Sequence, residues 1–200
     1  MKRSRSFAQV LLMACAGCGV HEAEPPEEPV PLPFVVSDFY SPDGYWGDGE
    51  KRGAVVLDKS CPQRAPAATG DCYTITYQPG DRHFAGINWQ YPHNNWGTDP
   101  GLRIAGGAAR ITGQARGERG GELVGLGAGQ ANTHNPHDDG FNVGPFDFDL
   151  ATKWAPFSIP LGGQTYAGPS GLIGAFILTL RAGDDERPQV IYLDALRWEK

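Results

Sequence analysis

Aromatic rings and side-chain amides alternate through one part of this chain. Tyr45 and Trp46 stand together, and Trp89, Tyr91 and Trp96 follow with Gln90, Asn94 and Asn95 among them. An aromatic ring stacks on the apolar C–H face of a pyranose, while amides, carboxylates and guanidinium groups fix the hydroxyls. These residue types at this spacing mark Trp96, Asn94, Asn95, Gln90 and Trp46 as candidate ligand contacts. Trp89 and Tyr91 share strand parity and read as core, whereas Trp96 reads as a loop residue beside two amides. Trp154 and Trp198 read as packing residues.

A second polar concentration is His134-Asn135-Pro136-His137-Asp138-Asp139. Its imidazoles and carboxylates have the chemistry to ligate a cation or hold a sugar hydroxyl, which adds His137, Asp138 and Asp139 to the candidates. Adjacent Asp138 and Asp139 cannot both enter one pocket from extended backbone, and Asn, Pro and Asp also build solvated turns.

Catalysis has less support. A glycosidase needs two carboxylates about 5–5.5 Å or about 6.5–9.5 Å apart, and Glu118, Glu122, Asp138 and Asp139 show no spacing that pairs them. No Gly-x-Ser-x-Gly elbow surrounds a serine. The expectation is a protein that is not an enzyme.

The elements that position these residues read as strands. With 28 glycines and 17 prolines, no long helical stripe survives. Runs at 34–40, 53–58, 72–78, 84–91, 108–116, 122–126, 157–161, 172–182 and 190–198 are apolar or alternating. The last places Val190, Tyr192, Asp194, Leu196 and Trp198 on one face. Turn signals between the runs, such as Pro79-Gly80-Asp81, predict an all-β jelly-roll β-sandwich of two antiparallel sheets over residues 34–200. Residues 127–148 read as a long irregular loop.

The chain opens with Lys2, Arg3 and Arg5, then a short apolar run ending at Cys15, which reads as an export signal over residues 1–14. Leu12-Met13-Ala14-Cys15 resembles a bacterial lipobox, so Cys15 is the expected lipidation site, with Cys18 a poorer candidate. Ala16 in place of aspartate after Cys15 favours an outer-membrane address. Residues 15–33, rich in Pro and Glu, read as an extended tether. Membrane contact would be through the lipid alone.

The formal net charge is −6, and loss of the three leading bases makes it more acidic. With no Lys/Arg cluster, nucleic acid is not an expected partner and a neutral ligand is favoured. Cys61 and Cys72 flank a loop rich in Pro, Ala and Gly, and in an exported chain they read as a disulfide.

The strings Phe84-Ala85-Gly86-Ile87-Asn88-Trp89-Gln90-Tyr91-Pro92, Asn94-Asn95-Trp96-Gly97, Ala115-Arg116-Gly117-Glu118 and Tyr192-Leu193-Asp194-Ala195-Leu196 resemble the galactose-binding-domain-like jelly rolls found as bacterial carbohydrate-binding modules. The resemblance implies non-catalytic carbohydrate binding and adds Arg116 to the contacts. The same fold also hosts protein-interaction and cell-envelope modules. It further implies a structural Ca2+ between early carboxylates and the last strand, held by Asp38, Asp48, Glu50 and Asp194. Asp194 stands among apolar neighbours, so burial would require a metal, backbone amides or a base such as Arg197.

Overall fold

The computed structural model describes residues 28–130, 134–162, 171–183 and 186–200. The signal, Cys15 and Cys18 lie outside them.

Among the described residues, eleven strands form two sheets: β1 (Phe34–Val35), β2 (Ser41–Gly47), β3 (Val55–Asp58), β4 (Tyr73–Tyr77), β5 (Phe84–Gln90), β6 (Arg110–Gly117), β7 (Glu122–Ala128), β8 (Val143–Leu150), β9 (Ala155–Pro160), β10 (Gly174–Arg181) and β11 (Gln189–Glu199). One sheet runs β3-β4-β11-β6-β9 with β1 also paired to β11, and the other runs β2-β5-β10-β7-β8. Every named strand pair is antiparallel. This is a jelly-roll-like sandwich, as the alternation in the sequence predicts.

Period-two patterning sends one side-chain set of each strand inward. From the five-stranded sheet come Ala85, Ile87 and Trp89 of β5 and Phe176, Leu178 and Leu180 of β10. The other sheet contributes Ile75, Ile111, Ile159, Leu193 and Trp198, and all of these are buried. Trp89 meets Phe176 and Tyr73 edge-on at centroid distances of 5.1 and 5.3 Å, a geometry that satisfies the ring quadrupoles. Trp198 donates its Nε1–H to the Ala175 carbonyl at 2.9 Å, bridging the sheets.

Three expectations change. The fold starts upstream of residue 34, because buried Val30 and Leu32 pack into the core and the Val30 backbone bonds Arg103 and Ala105. Residues 34–40 hold only β1 and a 3-10 turn, while β2 and β8 replace expected loop. Both are edge strands carrying proline, the position where the missing N–H is tolerated. Finally, the face of β11 changes midway. A register shift between Asp194 and Arg197, with Ala195 at φ 55°, turns Tyr192 and Asp194 outward but Leu196 and Trp198 inward.

Candidate functional site

The outer face of the five-stranded sheet brings two of the expected aromatics together. Trp46 on β2 is paired with Gly86 on β5, and a Cβ at residue 86 would fall 1.9 Å from the Trp46 ring. The indole therefore rests on the strand where only glycine leaves room. Trp96, from the loop after β5, meets Trp46 with centroids 6.5 Å apart and planes at 84°. Both rings are half-buried, so each keeps apolar surface in solvent.

The same row continues across the sheet through Thr179, Gly125 and Asp147. Four inter-strand steps of about 4.8 Å make a strip roughly 19 Å long. Its two glycines are covered by neighbours, Gly86 by the Trp46 indole and Gly125 by Thr179 and Pro145. Beside it, Arg181 holds Asp147 through two contacts of 2.8 and 2.9 Å, presenting charged hydrogen-bonding groups at the far end from the tryptophans.

The Trp96 loop is shaped by Asn95, which is buried. Its Oδ1 accepts from the amides of Gly97 and Asp99 at 2.9 and 3.2 Å, and its Nδ2 donates to the Tyr91 and Asp99 carbonyls at 3.1 and 2.8 Å. Gly97 at φ 97° completes the turn in a region closed to most side chains. Beneath lies a buried amide network. Gln130 Oε1 accepts from Asn88 Nδ2 at 2.9 Å and Gln90 Nε2 at 2.8 Å, while Gln130 Nε2 donates to the Asn95 carbonyl at 3.2 Å. These amides thus tie the loop to β5.

Loop 134–140 supports the arrangement from the other side. Asn135 Nδ2 donates to the Trp96 carbonyl, and the His137 amide donates to the Gly97 carbonyl at 3.1 Å. Asp139 points inward and accepts from the amides of Gln130 at 2.6 Å, Ile173 at 2.5 Å and Gly174 at 3.0 Å. Burial pushes its carboxyl up to about 6, outweighing three amides that favour the charged form. Asp138 instead caps its own turn through Gly140 N at 2.9 Å.

The expected contacts therefore separate into groups. Trp46 and Trp96 form one surface, with exposed Asn94 in the same loop. Gln90 and Asn95 are each only 1% exposed, and their side-chain NH2 groups donate inside the protein, so they position the surface rather than touch a ligand. His137 and Asp139 likewise act as loop supports. Arg116 lies on the other sheet, its guanidinium carbon 3.6 Å from the Tyr192 ring centroid and 5.4 Å from that of Trp154. It stacks in a cation–π cluster away from the tryptophan pair.

The carboxylates expected to hold calcium are not brought together. Asp194 receives Arg64 through two bonds of 2.8 Å, with the amides of Ala65 at 2.9 Å and Ala195 at 2.7 Å. A base does pair with it, but from the disulfide loop rather than from Arg197. Asp48 accepts from Tyr77 Oη at 2.8 Å and the amides of Gly80 and Arg82 at 2.9 and 3.0 Å. Burial raises both carboxyls, but these donors overcome it and hold both below the ordinary value. Glu50 faces Arg82 at 3.4 Å, and Asp38 lies on a separate 3-10 turn. Among the described residues no three His, Cys, Asp or Glu side chains converge on a metal position.

Two of the acids considered for catalysis, Glu122 and Asp139, stand apart. Glu122 accepts from the Arg119 amide at 2.8 Å at the start of β7, whereas Asp139 anchors to Gln130 beyond its end. Eight residues of extended chain separate Glu122 from Gln130, roughly 26 Å, well outside glycosidase spacing.

No known protein-family model and no curated protein sequence matches the chain. Solved structures do. The family 11 carbohydrate-binding module of the cellulosomal cellulase Lic26A-Cel5E of Clostridium thermocellum is 11% identical with a TM-score of 0.52, covering 84% of this chain and 94% of that one. A family 30 carbohydrate-binding module is 13% identical with a TM-score of 0.53, covering 84% and 99%. The chain shares their jelly-roll fold. At such identity the likeness speaks for architecture, and the residues of the site speak for themselves.

Gly86, Asn88 and Gln130 build the site without being marked by residue type in the sequence. A glycine inside an alternating strand signals close approach of another group, and Gly86 carried that signal.

Proposed function

We propose that this protein is a non-catalytic glycan-binding module whose ligand lies across the outer face of the five-stranded sheet, against Trp46 and Trp96. The observation that carries the reading is the perpendicular indole pair, seated on Gly86 and braced from beneath by the Asn95 and Gln130 amides. Two rings fixed without a ligand lose little side-chain freedom on binding, which favours affinity. The strip between the rings and the Arg181–Asp147 pair is long enough for several pyranose units end to end. The shared fold with carbohydrate-binding modules supports the same reading.

The test is a screen of soluble and insoluble polysaccharides against the protein and its Trp96→Ala variant. Retention of one neutral glycan by the protein, and its loss in a folded variant, is the expected result. Equal retention by both would overturn the site.

We further propose that the domain is displayed outside the cytoplasm on a lipid at Cys15. The leading bases, the apolar run and the lipobox-like residues support this, and a disulfide suits an oxidising compartment. Labelled palmitate should enter the wild-type chain but not Cys15→Ser.

A further inference from the structure

The opposite sheet carries a second groove. The loop closed by the Cys61–Cys72 disulfide folds over its outer face and is pinned by the Arg64–Asp194 pair. Pro66 and Ala67 in that loop wall a groove of about 510 Å³ on β11, β6 and β9. Arg197, Thr112 and Ser158 line it and are direct partners in register across these three strands. A guanidinium and two hydroxyls thus stand in one row spanning roughly 10 Å.

All three have hydrogen-bonding capacity to spare. No side-chain hydrogen bond joins any of them to another described residue, and Arg197 Nε is buried with no acceptor, 4.0 Å from Glu199 Oε1. Glu199 is engaged by Arg110, whose Nε and Nη2 both stand 3.1 Å from Oε2. Arg110 takes Glu199 Oε2 and leaves Oε1 facing the buried Arg197 Nε, while the part-exposed outer guanidinium nitrogens of Arg197 make no side-chain hydrogen bond and can receive a carboxylate in charge-assisted bonds.

We propose that this groove binds a uronic acid, with the sugar carboxylate on Arg197 and ring hydroxyls on Thr112 and Ser158. The site is independent of the tryptophan face, and it stands whether or not that face takes a glycan. It also departs from the neutral ligand favoured by the overall acidic charge, because recognition is set by the local fork and not by the net balance.

Calorimetric or NMR titration of the full chain with methyl glucuronide, methyl glucoside and acetate tests the assignment. Glucuronide should bind, and the other two should bind at least about tenfold more weakly, as expected when a charge-assisted bond or the hydroxyl contacts are lost. Arg197→Gln should reduce glucuronide binding about tenfold or more, Thr112→Val should reduce it several-fold, and Trp96→Ala should leave it unchanged. No glucuronide binding, undiminished binding in both folded groove variants, or equal binding of acetate or glucoside would overturn the proposal.

Discussion

Trp46 covers Gly86 so closely that a Cβ there would fall 1.9 Å from the indole. The contact fixes ring position through the absence of a side chain. Gly86→Ala keeps an ordinary strand conformation but must push the ring off the sheet. The variant is expected to retain its β-sheet circular dichroism while its tryptophan emission shifts and glycan retention falls.

Arg64 is the counter-charge of a fully buried carboxylate, although its own side chain is 45% exposed. Arg64→Ala leaves Asp194 held by backbone amides alone. Removing one partner of a buried pair costs about 3–5 kcal/mol, and solvent access at Arg64 places the expectation nearer about 2 kcal/mol. Urea denaturation of both proteins, compared at equal slope, reads the difference.

Stability should respond to pH in two opposed ways. Asp139 has a folded value of about 6, above its unfolded value, so its contribution is fully present below the unfolded value and is lost as pH rises through about 6. Asp48 and Asp194 are held low when folded, so theirs is present above the unfolded carboxylate range and lost as pH falls through their folded values. Asp139→Asn should flatten the decline in urea midpoint between pH 4 and pH 6 (about the unfolded and folded carboxyl values) and leave the acid limb intact.

The Cys61–Cys72 bond closes a short loop with a sequence separation of 11. Opening it should cost about 2–4 kcal/mol, through the loop-closure entropy the bond removes from the unfolded chain. Because the loop also walls the second groove, reduction should loosen that face before the tryptophan face. Hydrogen exchange with and without reductant should show protection lost first at residues 61–72 and around Asp194.

Much of the fold was legible because core strands obey simple alternation. Ala85, Ile87 and Trp89 declare their inward face in sequence, and the structure buries all three. The edge strands β2 and β8 were not legible, since they carry Pro and Gly of the kind that also builds loops. Parity in β11 misled because a bulge inserts an extra residue, and a period-two count cannot register that. At the site, aromatic identity marked Trp46 and Trp96 singly but not their contact, which depends on Gly86 and the loop after β5, and amide identity did not distinguish a ligand contact from a structural brace. Asn95 and Gln90 have the right chemistry for sugar, and burial commits it to the protein's own backbone and side chains. Asp194 likewise looked like a metal ligand because its partner, Arg64, lies 130 residues away.

The most direct measurement is isothermal titration of one glycan retained by the protein into the wild type, Trp46→Ala, Trp96→Ala and Trp154→Ala. The first two variants should each lose about 1–3 kcal/mol of binding, the order of a stacked ring removed from a ligand, with Trp154→Ala unchanged. Full affinity in folded Trp46→Ala and Trp96→Ala would contradict the site.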